Sequence, residues 1–143
     1  MNKIFVDTSA WIAVTVKMDQ NHKKANYTYG RLLSRKAGLV TSDYVIDESI
    51  TRIRYDSGHR EALRFYEIIM KSIELCFLTL RRIDAEIWED SIAIFRKYSD
   101  RKLSFTDCTS FALAGRLKIK DVFAFDEDFE VMGFHPIHKD ARQ

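Results

Sequence analysis

The sequence predicts an α/β protein, a three-layer α/β/α sandwich with a short, mostly parallel central sheet. Short apolar runs without polar alternation predict buried strands. Longer segments with helical apolar spacing separate these runs, and a chain with one Pro and five Gly favours long elements joined by short loops. Because helices alternate with strands, the strands are expected to pair in parallel through right-handed crossovers.

Two signals divide the first half of the chain into elements. Thr8 or Ser9 can cap a helix directly after the first apolar run, and Ser42 or Asp43 can cap another. Gly58 ends the latter helix. The predicted elements are a strand at 3–6, a helix at 8–16, a helix at about 21–36, a strand at 39–41 and a helix at 42–57.

The second half continues the alternation. The run IELCFLT is apolar and predicts a strand, and Pro136 restricts the last predicted strand to an edge of the sheet. The predicted elements are a helix at 59–71, strand 73–79, helices at 84–98 and 106–117, strand 121–125, a single turn at 128–132 and an edge strand at 134–137.

Length and composition limit the possible classes of protein. A chain of 143 residues, 46% hydrophobic, is expected to form one domain spanning 1–143 with a firm core. Its 23 basic and 21 acidic side chains permit a nucleic-acid partner without requiring one. Neither a signal-peptide pattern nor an apolar run of about 20 residues is visible, so a soluble, cytoplasmic protein is expected. Cys76 and Cys108 lie in apolar runs and are expected to be buried, reduced thiols.

Asp7 and Asp126 each follow a predicted buried strand. Ligands of open α/β sheets bind beyond the carboxyl ends of the strands, so both acids occupy favourable positions for a site. Asp7 can alternatively cap the following helix. Asp128, two residues after Asp126, is the less favoured candidate and is expected to be a solvated or capping acid.

Two further acids lie on predicted helices. Ser104 and Asp107 fit the S-x-x-D form of a capping box, which would hold the Asp107 carboxylate rigidly in the first turn. Glu48 lies opposite the apolar stripe of its helix, so periodicity alone predicts a solvated surface residue.

Four clustered carboxylates would repel one another and would need a compensating cation. Carboxylate oxygens are the ligands that Mg²⁺ and Mn²⁺ prefer, and such sites commonly act on phosphate esters. Zinc-binding spacing, a nucleophile elbow and Gly-rich phosphate loops are missing from the sequence. His135 and His138 are expected at the surface.

The segments FVDTSAW, TSDYVIDES, LSFTDCTSFALA and FAFDEDFEVMGF resemble the PIN-domain family, specifically the VapC-type ribonuclease toxins of prokaryotic toxin–antitoxin pairs. The resemblance covers nearly the whole chain. It implies that Asp7, Glu48, Asp107 and Asp126 are the metal-binding, catalytic acids, and it assigns Glu48 a role that periodicity does not. Ala124 departs from the family pattern, in which many relatives carry Thr.

The resemblance implies hydrolysis of RNA phosphodiesters with Mg²⁺, or Mn²⁺, as cofactor. It also implies a homodimer and a small VapB-like antitoxin that silences the enzyme. Basic residues at the rim are candidates to contact flanking phosphates: Arg31, Arg35, Arg52, Arg101 and Lys102. A housekeeping RNA-processing nuclease of the same fold and a non-catalytic PIN-like binding scaffold are the alternatives.

Overall fold

The computed structural model describes residues 2–140, and its strands form one parallel sheet. The order across the sheet is β3–β2–β1–β4–β5, and all four neighbouring pairs are parallel. The predicted α/β/α fold is therefore confirmed, with a sheet that is parallel throughout. The strands are β1 (Lys3–Val6), β2 (Gly38–Ser42), β3 (Leu78–Arg81), β4 (Asp121–Phe123) and β5 (His135–Pro136).

The helices connect successive strands. Most of the longer ones bury one apolar stripe, as the sequence pattern predicts, whereas the helix that begins at Phe105 is buried at every position from Cys108 to Ala114. They are α1 (Thr8–Thr15), α2 (His22–Ser34), α3 (Asp43–Ser57), α4 (His59–Glu74), α5 (Ala85–Lys97), α6 (Phe105–Arg116), the short α7 (Asp128–Val131) and a 3₁₀ turn at Ile137–Lys139. Among residues 2–140, no helix combines the length and apolar character that a membrane crossing requires.

The core is centred on β1 and α1. Ile4, Phe5 and Val6 are fully buried, as expected for a central parallel strand covered on both faces. Trp11 of α1 packs edge-to-face on Phe65 of α4, with ring centroids 6.0 Å apart. Its indole N–H donates to the Thr41 hydroxyl at 3.2 Å, so β2 is joined to α1 by a buried polar contact.

The strand order reverses between β1 and β4. From β1 the chain adds β2 and β3 on one side, and it later places β4 and β5 on the other side. Such a switch point opens a crevice at the carboxyl ends of the two strands. Asp7 directly follows β1, and Asp126 lies three residues after the end of β4, so the topology brings both acids to one crevice.

The predicted strand at 73–79 is wrong in its first half. Ile73 continues the inner face of α4 one turn after the buried Ile69, so the helix extends to Glu74. The chain then turns through Cys76, which has a left-handed φ of 63°, and β3 begins at Leu78. Cys76 is therefore exposed, contrary to the expectation of a buried thiol.

Cap residues correct two further boundaries. Asp7, rather than Thr8 or Ser9, caps α1, because its carboxylate accepts the Ser9 backbone N–H. β4 ends at Phe123 instead of residue 125, since the Phe125 N–H donates to the Ser9 hydroxyl at 2.9 Å and leaves the ladder. Gly58 separates α3 from α4 as predicted, with a φ of 102° that favours glycine.

Candidate metal centre

Asp7 is the most buried acid of the candidate site, with an exposure of 3%. Its Oδ2 accepts hydrogen bonds from the Ser9 N–H at 3.2 Å and the Ser9 hydroxyl at 2.8 Å. Its Oδ1 is buried and accepts no hydrogen bond within 3.5 Å from residues 2–140. Burial, with a smaller contribution from the charge of Glu48, raises the pKa of Asp7 from 3.8 to about 6.

Asp107 lies in the first turn of α6, inside the predicted capping box. The Asp107 N–H donates to the Ser104 hydroxyl at 3.0 Å, and the Ser104 N–H donates to Asp107 Oδ2 at 3.3 Å. Burial is the main cause that raises the pKa of Asp107 from 3.8 to about 7, followed by the charges of Asp7, Asp126 and Glu48. Asp107 therefore takes part in the capping box of α6 and also lies near the other acids.

Asp126 and Asp128 form an acidic cluster with Asp107. One carboxylate oxygen from each of Asp107, Asp126 and Asp128 lies within 4.8 Å of the others. Asp126 Oδ1 also accepts the Asp128 backbone N–H at 2.9 Å. Burial and the nearby Asp128 charge raise the pKa of Asp126. The sequence favours Asp126 over Asp128 as a candidate metal ligand. The distances do not test that preference, because both acids lie beside Asp107.

Glu48 is half-buried on α3, and its negative charge raises the pKa of both Asp7 and Asp107. A solvated surface position, which periodicity predicts, is therefore wrong. An aromatic contact holds the two helices together at this point: Phe105 at the start of α6 packs edge-to-face on Tyr44 of α3, at 6.4 Å between centroids. Tyr44 lies one helical turn before Glu48, on the same side of α3.

A basic side chain reaches the acids from the loop before α6. Arg101 Nη2 donates to Asp128 Oδ1 at 2.6 Å. Arg101 is one of the five rim residues that the sequence suggested for phosphate contacts. The other four are exposed, and within residues 2–140 no ion pair joins them to an acid of the cluster: Arg31, Arg35, Arg52 and Lys102.

His138 was expected at the surface, but it is buried. It is 8% exposed, and its ring packs on Phe125 with centroids 4.4 Å apart. Burial, reinforced by Lys24 and Lys139, lowers the pKa of His138 to about 4, so the ring is neutral near pH 7. Cys108 is buried as expected, and burial raises the pKa of its thiol to about 11, which makes it unreactive.

The donor set fits a divalent cation. Every candidate ligand is a carboxylate, which suits a hard ion such as Mg²⁺ or Mn²⁺. Among residues 2–140, the buried Oδ1 of Asp7 has no hydrogen-bond donor, and the pKa values of Asp7 and Asp107 are raised to about 6 and about 7. Both features indicate negative charge that these residues leave uncompensated. A bound cation would satisfy both features.

The fold and the acidic site together define a class, and the sequence comparison agrees. The chain matches the PIN domain family over residues 4–135, and it belongs to that family. The resemblance seen in the sequence motifs is therefore confirmed.

The individual relatives are VapC toxins. The chain is 30% identical over 131 residues to the 23S rRNA-specific endonuclease VapC20 of Mycobacterium tuberculosis, in strains CDC 1551 / Oshkosh and ATCC 25618 / H37Rv. The alignment covers 92% of this chain and 95% of that protein. The crystal structure of Mycobacterium tuberculosis VapC20, described as a sarcin–ricin loop cleaving toxin, superposes with a TM-score of 0.78 at 32% identity and covers the same shares of both chains.

Proposed function

We propose that this protein is a metal-dependent endoribonuclease toxin of the VapC type, which hydrolyses RNA phosphodiesters and is neutralised by a cognate VapB-like antitoxin. The observation that carries the proposal is the group of acids at the switch point of a PIN fold, in which the pKa values of Asp7 and Asp107 are raised to about 6 and about 7. The similarity to a 23S rRNA-specific endonuclease over 92% of the chain supports it.

The proposed ligands are Asp7, Glu48, Asp107 and Asp126. For three of them, Asp7, Asp107 and Asp126, one carboxylate oxygen already accepts a backbone N–H. Each of these carboxylates is thereby oriented before a cation binds, and its other oxygen remains available. When bound, Mg²⁺ or Mn²⁺ supplies Lewis-acid stabilisation of the negative charge that develops on the scissile phosphate.

The proposed substrate is ribosomal RNA. VapC20 is named as specific for 23S rRNA and as cleaving the sarcin–ricin loop, and we infer the same class of substrate for this chain. Such a substrate would place the protein in the cytoplasm. A homodimer remains a prediction, which sedimentation velocity of the purified chain would check.

The direct test is cleavage of a synthetic RNA hairpin bearing the sarcin–ricin loop, beside total cellular RNA, by the antitoxin-free protein. We expect discrete products in Mg²⁺ or Mn²⁺ and none in EDTA. Asp7→Asn and Asp107→Asn should each lower the cleavage rate by roughly 10²-fold or more, because each removes a ligand charge. Circular dichroism would verify that both variants fold.

Asp90→Asn is a matched control. Asp90 is a half-exposed acid on α5 that pairs with Arg116, outside the acidic cluster, and its loss should leave the cleavage rate unchanged. Wild-type cleavage by both Asp7→Asn and Asp107→Asn would contradict the proposed site. A folded protein that neither cleaves RNA nor binds Mn²⁺ by calorimetry would instead be a non-catalytic PIN-like scaffold.

A short reading frame just upstream that encodes a small DNA-binding protein would support a toxin. Its absence would favour a housekeeping RNA-processing nuclease with the same site.

A further inference from the structure

The ion pair between Arg101 and Asp128 joins the loop before α6 to the first turn of α7. The two side chains approach to 2.6 Å and are 38% and 22% exposed, so the contact is neither fully buried nor freely solvated. The loop is itself constrained, because the Arg101 N–H donates to the Tyr98 carbonyl at 3.2 Å and the Leu103 N–H donates to the Arg101 carbonyl at 2.9 Å. Arg101 is therefore constrained both at its backbone and at its guanidinium.

This pair lies beside the proposed metal ligands. Asp128 belongs to the same group of oxygens, within 4.8 Å, as Asp107 and Asp126. The hydrogen bond to Asp128 is the main cause that raises the pKa of the guanidinium, and the charge of Asp126 adds a smaller contribution. The Arg101 guanidinium therefore lies at the edge of the acidic cluster, beside the first turn of α7.

The chemistry of the pair distinguishes Asp128 from the other acids. Asp128 Oδ1 accepts from Arg101, and the Asp128 backbone N–H supports Asp126. The charge of the Asp128 carboxylate is thereby compensated by Arg101, whereas the buried Oδ1 of Asp7 has no donor among residues 2–140. A guanidinium has five donors in a planar fork, so one bond to Asp128 leaves others for an oxyanion beside it.

We propose that Asp128 is a positioning residue rather than a metal ligand, and that it holds Arg101 to bind an RNA phosphate adjacent to the scissile phosphodiester. The inference rests on the proposed function, since it takes RNA as the substrate. It selects Arg101 from the five basic residues that the sequence offered, without preference, as contacts for flanking phosphates. Arg101 would then contribute to substrate binding, and Asp128 would act through Arg101.

The test compares Arg101→Gln, Asp128→Asn and the double variant in cleavage of the hairpin RNA used above. Arg101→Gln should raise KM on the order of tenfold, the usual effect of a charge-assisted phosphate contact, and change kcat less. The slope of log affinity against log salt should fall by about one contact. Arg101→Lys should recover part of the affinity. The double variant should match Arg101→Gln, because Asp128 acts through that residue.

Arg116→Gln is the matched control. Arg116 is a half-exposed guanidinium that also pairs with two acids, Asp90 at 2.7 Å and Glu86 at 3.2 Å. It lies nine residues after Asp107 on α6, about 14 Å along the helix axis. Its replacement should leave both KM and the salt slope unchanged, which separates a local phosphate contact from a general loss of positive charge.

Calorimetry with Mn²⁺ decides between the two roles of Asp128. If Asp128 positions Arg101, Asp128→Asn should bind Mn²⁺ far better than Asp126→Asn does. Equal loss of Mn²⁺ affinity in these two variants would overturn the assignment and make Asp128 a ligand. Increased cleavage by Arg101→Gln would also overturn it, because Arg101 would then obstruct the site.

Binding of fluorescein-labelled hairpin in Ca²⁺, read by anisotropy, keeps this proposal separate from the proposed function. A wild-type protein that cleaves no RNA contradicts the nuclease, while the anisotropy experiment still reports on Arg101. Equal Kd values for the wild type and Arg101→Gln would reject the phosphate contact, whatever the cleavage result. A Kd raised on the order of tenfold would support it.

Discussion

Asp7 combines two roles that sequence reasoning treats as alternatives. One carboxylate oxygen caps α1 through the Ser9 N–H, and the other is buried without a donor in the part of the chain that the structure describes. Asp107 likewise belongs to a capping box and to the acidic cluster. A cap needs only one oxygen, so the same hydrogen bond that starts a helix also fixes the rotamer of a carboxylate whose second oxygen is available for a cation.

The raised pKa of Asp7 makes a prediction about stability. In the folded state its pKa is about 6, above the value of about 3.8 in the unfolded chain. The folded state therefore binds more protons between these pH values, and the contribution of Asp7 to stability is lost as pH rises through about 6. In EDTA at pH 8, Asp7→Asn should raise the free energy of unfolding by about 3 kcal/mol, and this gain should vanish near pH 4.

Urea denaturation of both proteins across this pH range measures the effect. The difference between variant and wild type is the informative quantity, because His138 titrates in the opposite sense: its pKa is lowered to about 4, so its contribution is lost as pH falls. Saturating Mn²⁺ at pH 8 should stabilise the wild type more than the variant. A variant that is less stable than the wild type at pH 8 in EDTA would mean that Asp7 is primarily structural.

At the scale of elements, the backbone conformation at the end of each helix determines where the next element begins. Three connections from helix to strand pass through a left-handed residue that is not glycine: Lys36, Cys76 and Lys118, with φ values of 55°, 63° and 57°. At each, two backbone N–H groups bond back to the last turn of the helix. These ends carry no glycine signal, which explains why sequence patterns misplaced the end of α4. The end of α3 carries Gly58 and was placed correctly.

Two glycines with different backbone conformations give a matched test at this scale. A Cβ at Gly58 or at Gly115 would meet nothing within 4 Å, so neither substitution causes a clash. Gly58 has a φ of 102°, whereas Gly115 lies within α6. Gly58→Ala should lower the free energy of unfolding by about 1–2 kcal/mol through strain, and Gly115→Ala should raise it by about 0.5–1 kcal/mol.

Chemical denaturation of Gly58→Ala and Gly115→Ala, beside the wild type, shows whether each substitution lowers or raises the free energy of unfolding. Destabilisation by both substitutions would show that a factor other than φ governs the junction between α3 and α4.

On the scale of the whole molecule, the reversal of strand order between β1 and β4 places Asp7 and Asp126, and a chain of buried hydrogen bonds joins the neighbouring elements. The Thr41 hydroxyl accepts from the Trp11 indole at 3.2 Å and donates to the Val6 carbonyl at 2.9 Å. Both side chains are nearly inaccessible to solvent. Val6 directly precedes Asp7, so this chain connects β2 and α1 to the residue before the site.

Replacement of Thr41 tests this connection. Thr41→Val should lower the free energy of unfolding by about 1–3 kcal/mol, because it leaves the indole N–H buried without a partner. Trp11→Phe should then cost less in the Thr41→Val background than in the wild type, since the unsatisfied donor is removed. Strictly additive effects in this double-mutant cycle would show that the hydrogen bond contributes nothing.

The sequence by itself determined the fold class, the succession of strands and helices, and the positions of Asp7, Asp107 and Asp126 at the ends of elements. These features depend on local periodicity, caps and apolar runs, which can be read over a few residues. Only the tertiary structure decided that Glu48 is half-buried, that Arg101 pairs with Asp128 and that His138 is buried. Each of these depends on a partner far along the chain, brought close by the strand order, and no local pattern records such a partner.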